Sequence, residues 1–227
     1  MTQSPMWTGF ARKDGRKGIR NVVLVVYLVE CAHHVARRIV DKADDSAVQL
    51  AGFPGCYPNA YAHRLLERLT THPNVGSVLL VSLGCEGFDR DRLTQTIADS
   101  GRPVRKLVIQ EAGGTRATIA AGLDLIAELQ GETADVPRVA MGVHDLVVGT
   151  ICGGSDGTSG ITANPAAGRC FDRLVAEGAA CIFEETGELI GCEQVMAERA
   201  VTHELGEAIR AAVHKAERYY TTLGYGS

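Results

Sequence analysis

The 227-residue sequence has seven cysteines but no Cys-x-x-Cys pair, which excludes a zinc ribbon and a thioredoxin-type motif. Its longest apolar run, Val22 to Val29, is far short of the roughly 20 residues a membrane span requires. The N-terminus shows no basic head followed by an apolar middle, so no secretory signal is read there. Repeats and low-complexity tracts are absent too. No charge of one sign accumulates: 23 Lys and Arg are scattered among 27 Asp and Glu, the net charge is -4 and the pI is near 6.0. That balance gives no surface for nucleic acid or another polyanion. The expectation is a cytoplasmic protein acting on a small molecule, with neither membrane nor nucleic-acid partner. In a reducing compartment an odd number of cysteines reads as free thiols or metal ligands rather than disulfides.

What is present supports a core. Hydrophobic residues make up 45% of a chain long enough for one large domain or two small ones. Asn21 to Val29 is a continuous β-branched and apolar run, the mark of a parallel strand buried on both faces. Helical spacing follows over Cys31 to Ala43, then a short strand over Ala47 to Phe53 and a helix over Asn59 to Thr71. The alternation continues with a strand over 77–84, a helix over 89–100, a strand over 104–110 and a helix over 115–130. Such alternation predicts a doubly wound, mostly parallel α/β domain.

Gly131 to Pro137 lacks periodicity and ends in proline, so it reads as a linker and divides the chain into residues 1–134 and 135–227. Beyond it come a strand over Arg138 to Ile151 with a break near Gly142, a glycine-rich loop, a helix from Asn164 to Glu177, a strand over 179–184 and one long helix ending near Tyr220. Two strands and two helices cannot cover both faces of a parallel sheet. The second α/β domain is therefore expected to be incomplete, leaving apolar surface exposed, as in a truncated chain or one part of an assembly.

Ligands of open α/β sheets bind beyond the carboxyl ends of the strands, where helix N-termini converge. Cys31, Cys56, Cys85 and Cys152 each follow a predicted strand, Cys85 beside Glu86. Cys170 and Cys181 fall mid-helix and mid-strand, as core fillers do, and His144 lies within an apolar run, where a buried histidine is expected. Thiolates with carboxylates or histidine suit Fe(II), Zn(II) or an iron–sulfur cluster. Glu184 and Glu185 end the last predicted strand, as candidate base and ligand or as acidic residues opening a helix.

The densest stretch is Cys152-Gly153-Gly154-Ser155-Asp156-Gly157-Thr158-Ser159-Gly160-Ile161-Thr162-Ala163-Asn164-Pro165. It joins a strand end to a helix whose expected cap is Asn164, with Pro165 at the first helical position. Its glycines permit close backbone approach, and its thiol, carboxylate and hydroxyls lie within reach of one ligand. It has neither the GK[ST] of a P-loop nor the GxGxxG of a dinucleotide fold.

That loop resembles the altronate and galactarate dehydratase family, together with Asp14-Gly15-Arg16-Lys17-Gly18-Ile19-Arg20-Asn21, His72-Pro73-Asn74-Val75-Gly76, Leu83-Gly84-Cys85-Glu86 and Glu184-Glu185-Thr186-Gly187-Glu188-Leu189. The resemblance runs through nearly the whole chain. It implies dehydration of a sugar acid to a 2-keto-3-deoxy acid with iron(II), or with Mn(II) in its place. A divergent branch, the sulfolactate sulfo-lyases, eliminates sulfite; there the second glycine of the CGG motif is replaced by Glu, whereas Gly154 stands here. Family members carry a small SAF-type domain or subunit and continue past the position of Ser227, so the resemblance implies a small-subunit partner and a homo-oligomer.

Within this reading the metal ligands are drawn from Cys152, Cys85, Cys56 and Glu86. Asp156 orients a ligand or the substrate. Ser155, Thr158, Ser159 and Asn164 hold substrate oxygens, and Arg16 or Arg20 pairs with the carboxylate. Glu184 or Glu185 supplies the base. The alternatives are an iron–sulfur hydroxy-acid lyase, against which the lack of tight cysteine spacing argues, and a non-catalytic binding or assembly piece.

Overall fold

The computed structural model describes residues 7–154 and 156–225, and the chain divides into two compact units between Gly142 and Val143. The first unit is built on a four-stranded parallel sheet of β3 (Val22–Tyr27), β4 (Val48–Gly52), β5 (Val75–Ser82) and β6 (Val104–Val108), in the order β4-β3-β5-β6. Every residue of β5 is buried, Ser77 and Ser82 included, as befits a strand covered on both faces. Alternation along β3 sends Val23 and Val25 to one side, against α1 (Glu30–Ala43) and α4 (Thr115–Thr133). Val22, Leu24 and Val26 go to the other, against α2 (Ala60–Thr70) and α3 (Arg90–Asp99). The sheet is doubly wound, and the residues following its strands gather at one edge. Asn59 and Asp89 cap α2 and α3 by accepting from the N–H groups of Ala62 and Arg92.

A second, antiparallel sheet joins β1 (Trp7–Ala11), β2 (Lys17–Gly18) and β7 (Arg138–Met141) in the order β2-β1-β7; β7 is the part of the expected Arg138 to Ile151 strand before its break, whereas β1, β2 and the pairing were not expected from the sequence. The head of the chain gives no strand signal because its strands are short and half-exposed. It is anchored by two of the quoted motifs. Arg12 donates to the carbonyls of Pro73 and Arg20 and to Asn21 Oδ1, while Asn74 Oδ1 accepts from the amides of Ile19 and Arg20. A β-carbon at Gly18 would run into the Pro73 carbonyl, so glycine there is a requirement of close approach. Burial and the neighbouring Arg102 bring the Arg12 pKa down to about 10.

This sheet also accounts for differences at the expected linker. Helix α4 continues through the buried Thr133, and β7 pairs with β1, so residues 138–141 belong to the first unit. In the second unit β8 (Val147–Thr150) and β9 (Ala180–Phe183) form a two-stranded parallel sheet, joined by the loop and α5 (Ala163–Ala176). The long helix expected after β9 is three pieces: a 3-10 turn at Thr186–Leu189, α6 (Glu193–Glu198) and α7 (His203–Thr222), the last capped by Thr202. Asn164 is not a cap, since α5 starts one residue earlier after Thr162. His144 is exposed beside Asp145, Cys170 is exposed, and Cys181 is only half-buried. No residue of α5 is buried, and Ile182 and Phe183 of β9 are 56% and 52% exposed, so this unit leaves apolar surface open among the described residues.

Leu80 on β5 is wholly buried, whereas Tyr57 is 88% exposed. Leu80→Ala is expected to cost about 2–5 kcal/mol and Tyr57→Ala less than about 0.5 kcal/mol, read as urea midpoints from the fluorescence of the single Trp, at position 7 in β1.

Candidate functional site

In the second unit the reactive residues converge because the strands do. Parallel pairing sets Thr150 opposite Phe183. Two residues beyond each partner stand Cys152 and Glu185, so both leave the same edge of the sheet on neighbouring strands, about 4.8 Å apart. Beyond Glu185 the backbone turns over Thr186–Leu189, which returns Glu188 to Glu185. Cys152 Sγ and one carboxylate oxygen each of Glu185 and Glu188 lie within 4.8 Å of one another, and among the described residues this is where three such ligand atoms gather.

Glu185 and Glu188 are hydrogen-bonded through their carboxyl groups. That bond raises the pKa of Glu185, and the negative charge of Glu188 and then that of Glu184 add to the effect. A divalent cation would offset the same repulsion, and one thiol with two carboxyl groups is a donor set that a borderline cation accepts. All three residues are exposed, so they open onto a groove of about 1430 Å³. The groove is lined by the loop at Cys152, Gly153, Gly154, Asp156 and Ser159, by Asn164 and Phe171 of α5, by Glu184, and by Met196 and Arg199 at α6.

Asp156 is engaged within the loop. Its carboxylate accepts from the amide and hydroxyl of Thr158, each at 2.6 Å, which lowers its pKa. Thr158 is thereby spent on Asp156 and does not line the groove, whereas Ser159 and Asn164 do. Ser155 lies outside the described residues.

The remaining predicted site residues are in the first unit. Cys56 and Cys85 are exposed on loops beyond β4 and β5, joined where the Gly87 amide donates to the Cys56 carbonyl at 2.9 Å. Glu86 turns inward: burial opposes its charge, but hydrogen bonds from Ser82 Oγ and the Gly84 amide outweigh it and lower its pKa. Arg16 and Arg20 sit at the opposite edge of the sheet. Arg16 is paired with Asp14 at 2.6 Å and donates to the Thr71 carbonyl, and Arg20 contributes backbone groups to the Arg12 and Asn74 network.

Two groove residues escaped the sequence reading. Glu188 was legible in part, because a glutamate three residues after Glu185 across a glycine can return to it. Arg199 follows a six-residue helix in the middle of what read as one long helix, so its position gave no signal.

Fold and groove together define an α/β protein with an acidic, thiol-bearing groove at strand ends. Residues 9–134 match the family described as D-galactarate dehydratase/Altronate hydrolase, second domain, and residues 143–226 match D-galactarate/Altronate dehydratase, C-terminal. The chain belongs to this galactarate/altronate dehydratase family. It is 29% identical over 225 residues to the altronate dehydratase of Bacillus subtilis, covering 93% of this chain and 45% of that protein. It is also 29% identical over 214 residues to the (2R)-sulfolactate sulfo-lyase subunit beta of Chromohalobacter salexigens, covering 89% and 52%. Against the galactarate dehydratase (L-threo-forming) of Escherichia coli the identity is 29% over 163 residues, covering 69% and 31%. The chain thus spans about half the length, or less, of the curated relatives it matches.

Replacing Glu188 removes both the hydrogen bond and the charge that raise Glu185. Glu188→Ala is expected to bring the Glu185 titration midpoint down toward the ordinary carboxylate range and to leave that of Asp156 unmoved, as followed by carboxyl ¹³C NMR.

Proposed function

We propose that the chain is part of a sugar-acid dehydratase, which removes water from a hydroxy acid of the altronate or galactarate type to give a 2-keto-3-deoxy acid. The observation that carries this reading is the convergence of Cys152, Glu185 and Glu188 in an acidic, hydroxyl-bearing groove, in a chain of this family. Cys152, Glu185 and Glu188 would hold a divalent metal, Fe(II) or Mn(II), in place of the wider set that includes Cys56, Cys85 and Glu86. When bound, the cation supplies charge stabilisation beside the substrate carboxylate and polarises the departing hydroxyl.

The chain's own residues then have separable tasks. Glu184, on the groove wall next to Glu185, takes the proton from the carbon bearing the substrate carboxylate. The C–O bond at the neighbouring carbon breaks, hydroxide leaves as water on gaining a proton, and the enol so formed becomes the 2-keto acid. Asp156, with its lowered pKa, is a poor proton acceptor and serves better by accepting hydrogen bonds from substrate hydroxyls. Ser159 and Asn164 line the same wall and offer further polar partners.

Likeness to the sulfo-lyase subunit supports a second reading, in which sulfite leaves in place of hydroxide. Assay of the full-length protein with altronate, galactarate and sulfolactate, measuring 2-keto acid and sulfite, separates the two. A small-subunit partner and a homo-oligomer belong to the same proposal and are checked by the mass of the purified assembly.

Cys152→Ala is expected to lower Mn(II) affinity and 2-keto acid formation together, the latter at least about a hundredfold. Equal metal content and turnover in that variant would sink the metal role. Because Glu185 keeps its proton to higher pH than an ordinary glutamate, metal binding to the wild-type chain should strengthen as pH rises through its titration.

A further inference from the structure

The groove is strongly acidic, yet the reading above requires it to attract an anion. Asp156, Asp172, Glu184, Glu185 and Glu188 all line it, and among its lining residues Arg199 is the single Lys, Arg or His. A bound divalent cation leaves carboxylates in excess. The carboxylate of a sugar acid therefore meets net repulsion unless a fixed cation receives it.

We propose that Arg199 is that receptor: its guanidinium pairs with the substrate carboxylate and holds the acid in the groove that also bears Glu184 and the Cys152–Glu185–Glu188 cluster. The proposal rests on the sugar-acid reading. Arg199 follows α6 directly, and its backbone amide closes that helix onto the Met196 carbonyl, which fixes the start of its side chain. Its guanidinium makes no hydrogen bond or ion pair among the described residues, although it lies on a groove lined by carboxylates. Arg169 and Arg210 of the same unit are engaged, the first with Asp172 and the second with Glu207 and Gln194.

An unengaged guanidinium offers a planar pair of donors matched to a carboxylate, which a lysine ammonium does not. Of the two arginines expected from the sequence to do this, Arg16 has its guanidinium on Asp14 and the Thr71 carbonyl, and Arg20, whose backbone serves Arg12 and Asn74, is in the first unit and does not line this groove. A groove with one free cation and many carboxylates is also matched to a substrate bearing one carboxylate rather than two.

The test uses the full-length enzyme and two readouts. In steady-state turnover of D-altronate, Arg199→Ala is expected to raise KM about tenfold to a hundredfold, the worth of a lost charged hydrogen bond, with kcat within about threefold. Arg199→Lys should recover part of that loss. An unchanged KM, or a fall in kcat alone, overturns the proposal. The second readout does not need turnover: in the wild-type protein, millimolar gluconate should shift the Arg199 Nε–H resonance, and neutral sorbitol should not. No shift with gluconate, or an equal shift with sorbitol, overturns the assignment even in an active enzyme. A selective gluconate shift in an enzyme that turns over none of the three acids supports the anion site while refuting the dehydratase reading. Far-UV circular dichroism of both variants must match the wild type, so that loss of folding is not read as loss of binding.

Discussion

Parallel pairing of β8 with β9, in the register that sets Thr150 opposite Phe183, is the constraint on which the candidate site depends. Cys152 and Glu185 each stand two residues beyond the paired ends, so a shift of one strand by a single residue would move the thiol and the carboxylate apart and send side chains to opposite faces. Parallel strands need a crossover, and here it carries the glycine-rich loop and α5. The connection that makes the pairing possible is therefore also the wall of the groove.

Charge organises the rest of the groove. Glu185 and Glu188 are held near enough to share a hydrogen bond, and that bond, followed by the repulsion between the two groups, raises the pKa of Glu185. Asp156 shows the opposite behaviour because two donors from Thr158 favour its charged form. Two carboxylates of one groove are thus pushed in opposite directions by their immediate partners.

The first unit gives two of the family motifs a structural meaning. Segments around Asp14 to Asn21 and His72 to Gly76 lock the small antiparallel sheet to the edge of the parallel sheet away from the loops bearing Cys56 and Cys85. Arginine and asparagine side chains satisfy backbone carbonyls and amides there. Resemblance alone does not distinguish such a staple from a substrate contact.

Much was legible in the chain itself. The uninterrupted apolar run determined β3 as a strand buried on both faces, and the alternation of strand with helix determined a doubly wound α/β architecture, because hydrophobic period is a local property. The position of Cys152 and Glu184-Glu185 after strands was local as well. The weak strands at the head of the chain were not legible: β1 and β2 are short and partly exposed, and the pairing of β1 with β7 joins segments far apart in sequence. Nor could spacing disclose that Glu188 turns back to Glu185, that Thr158 engages Asp156, or that Arg199 comes to line the groove. Those facts depend on the break of the last helix into a turn and two helices and on the strand register, and only the tertiary structure decides them.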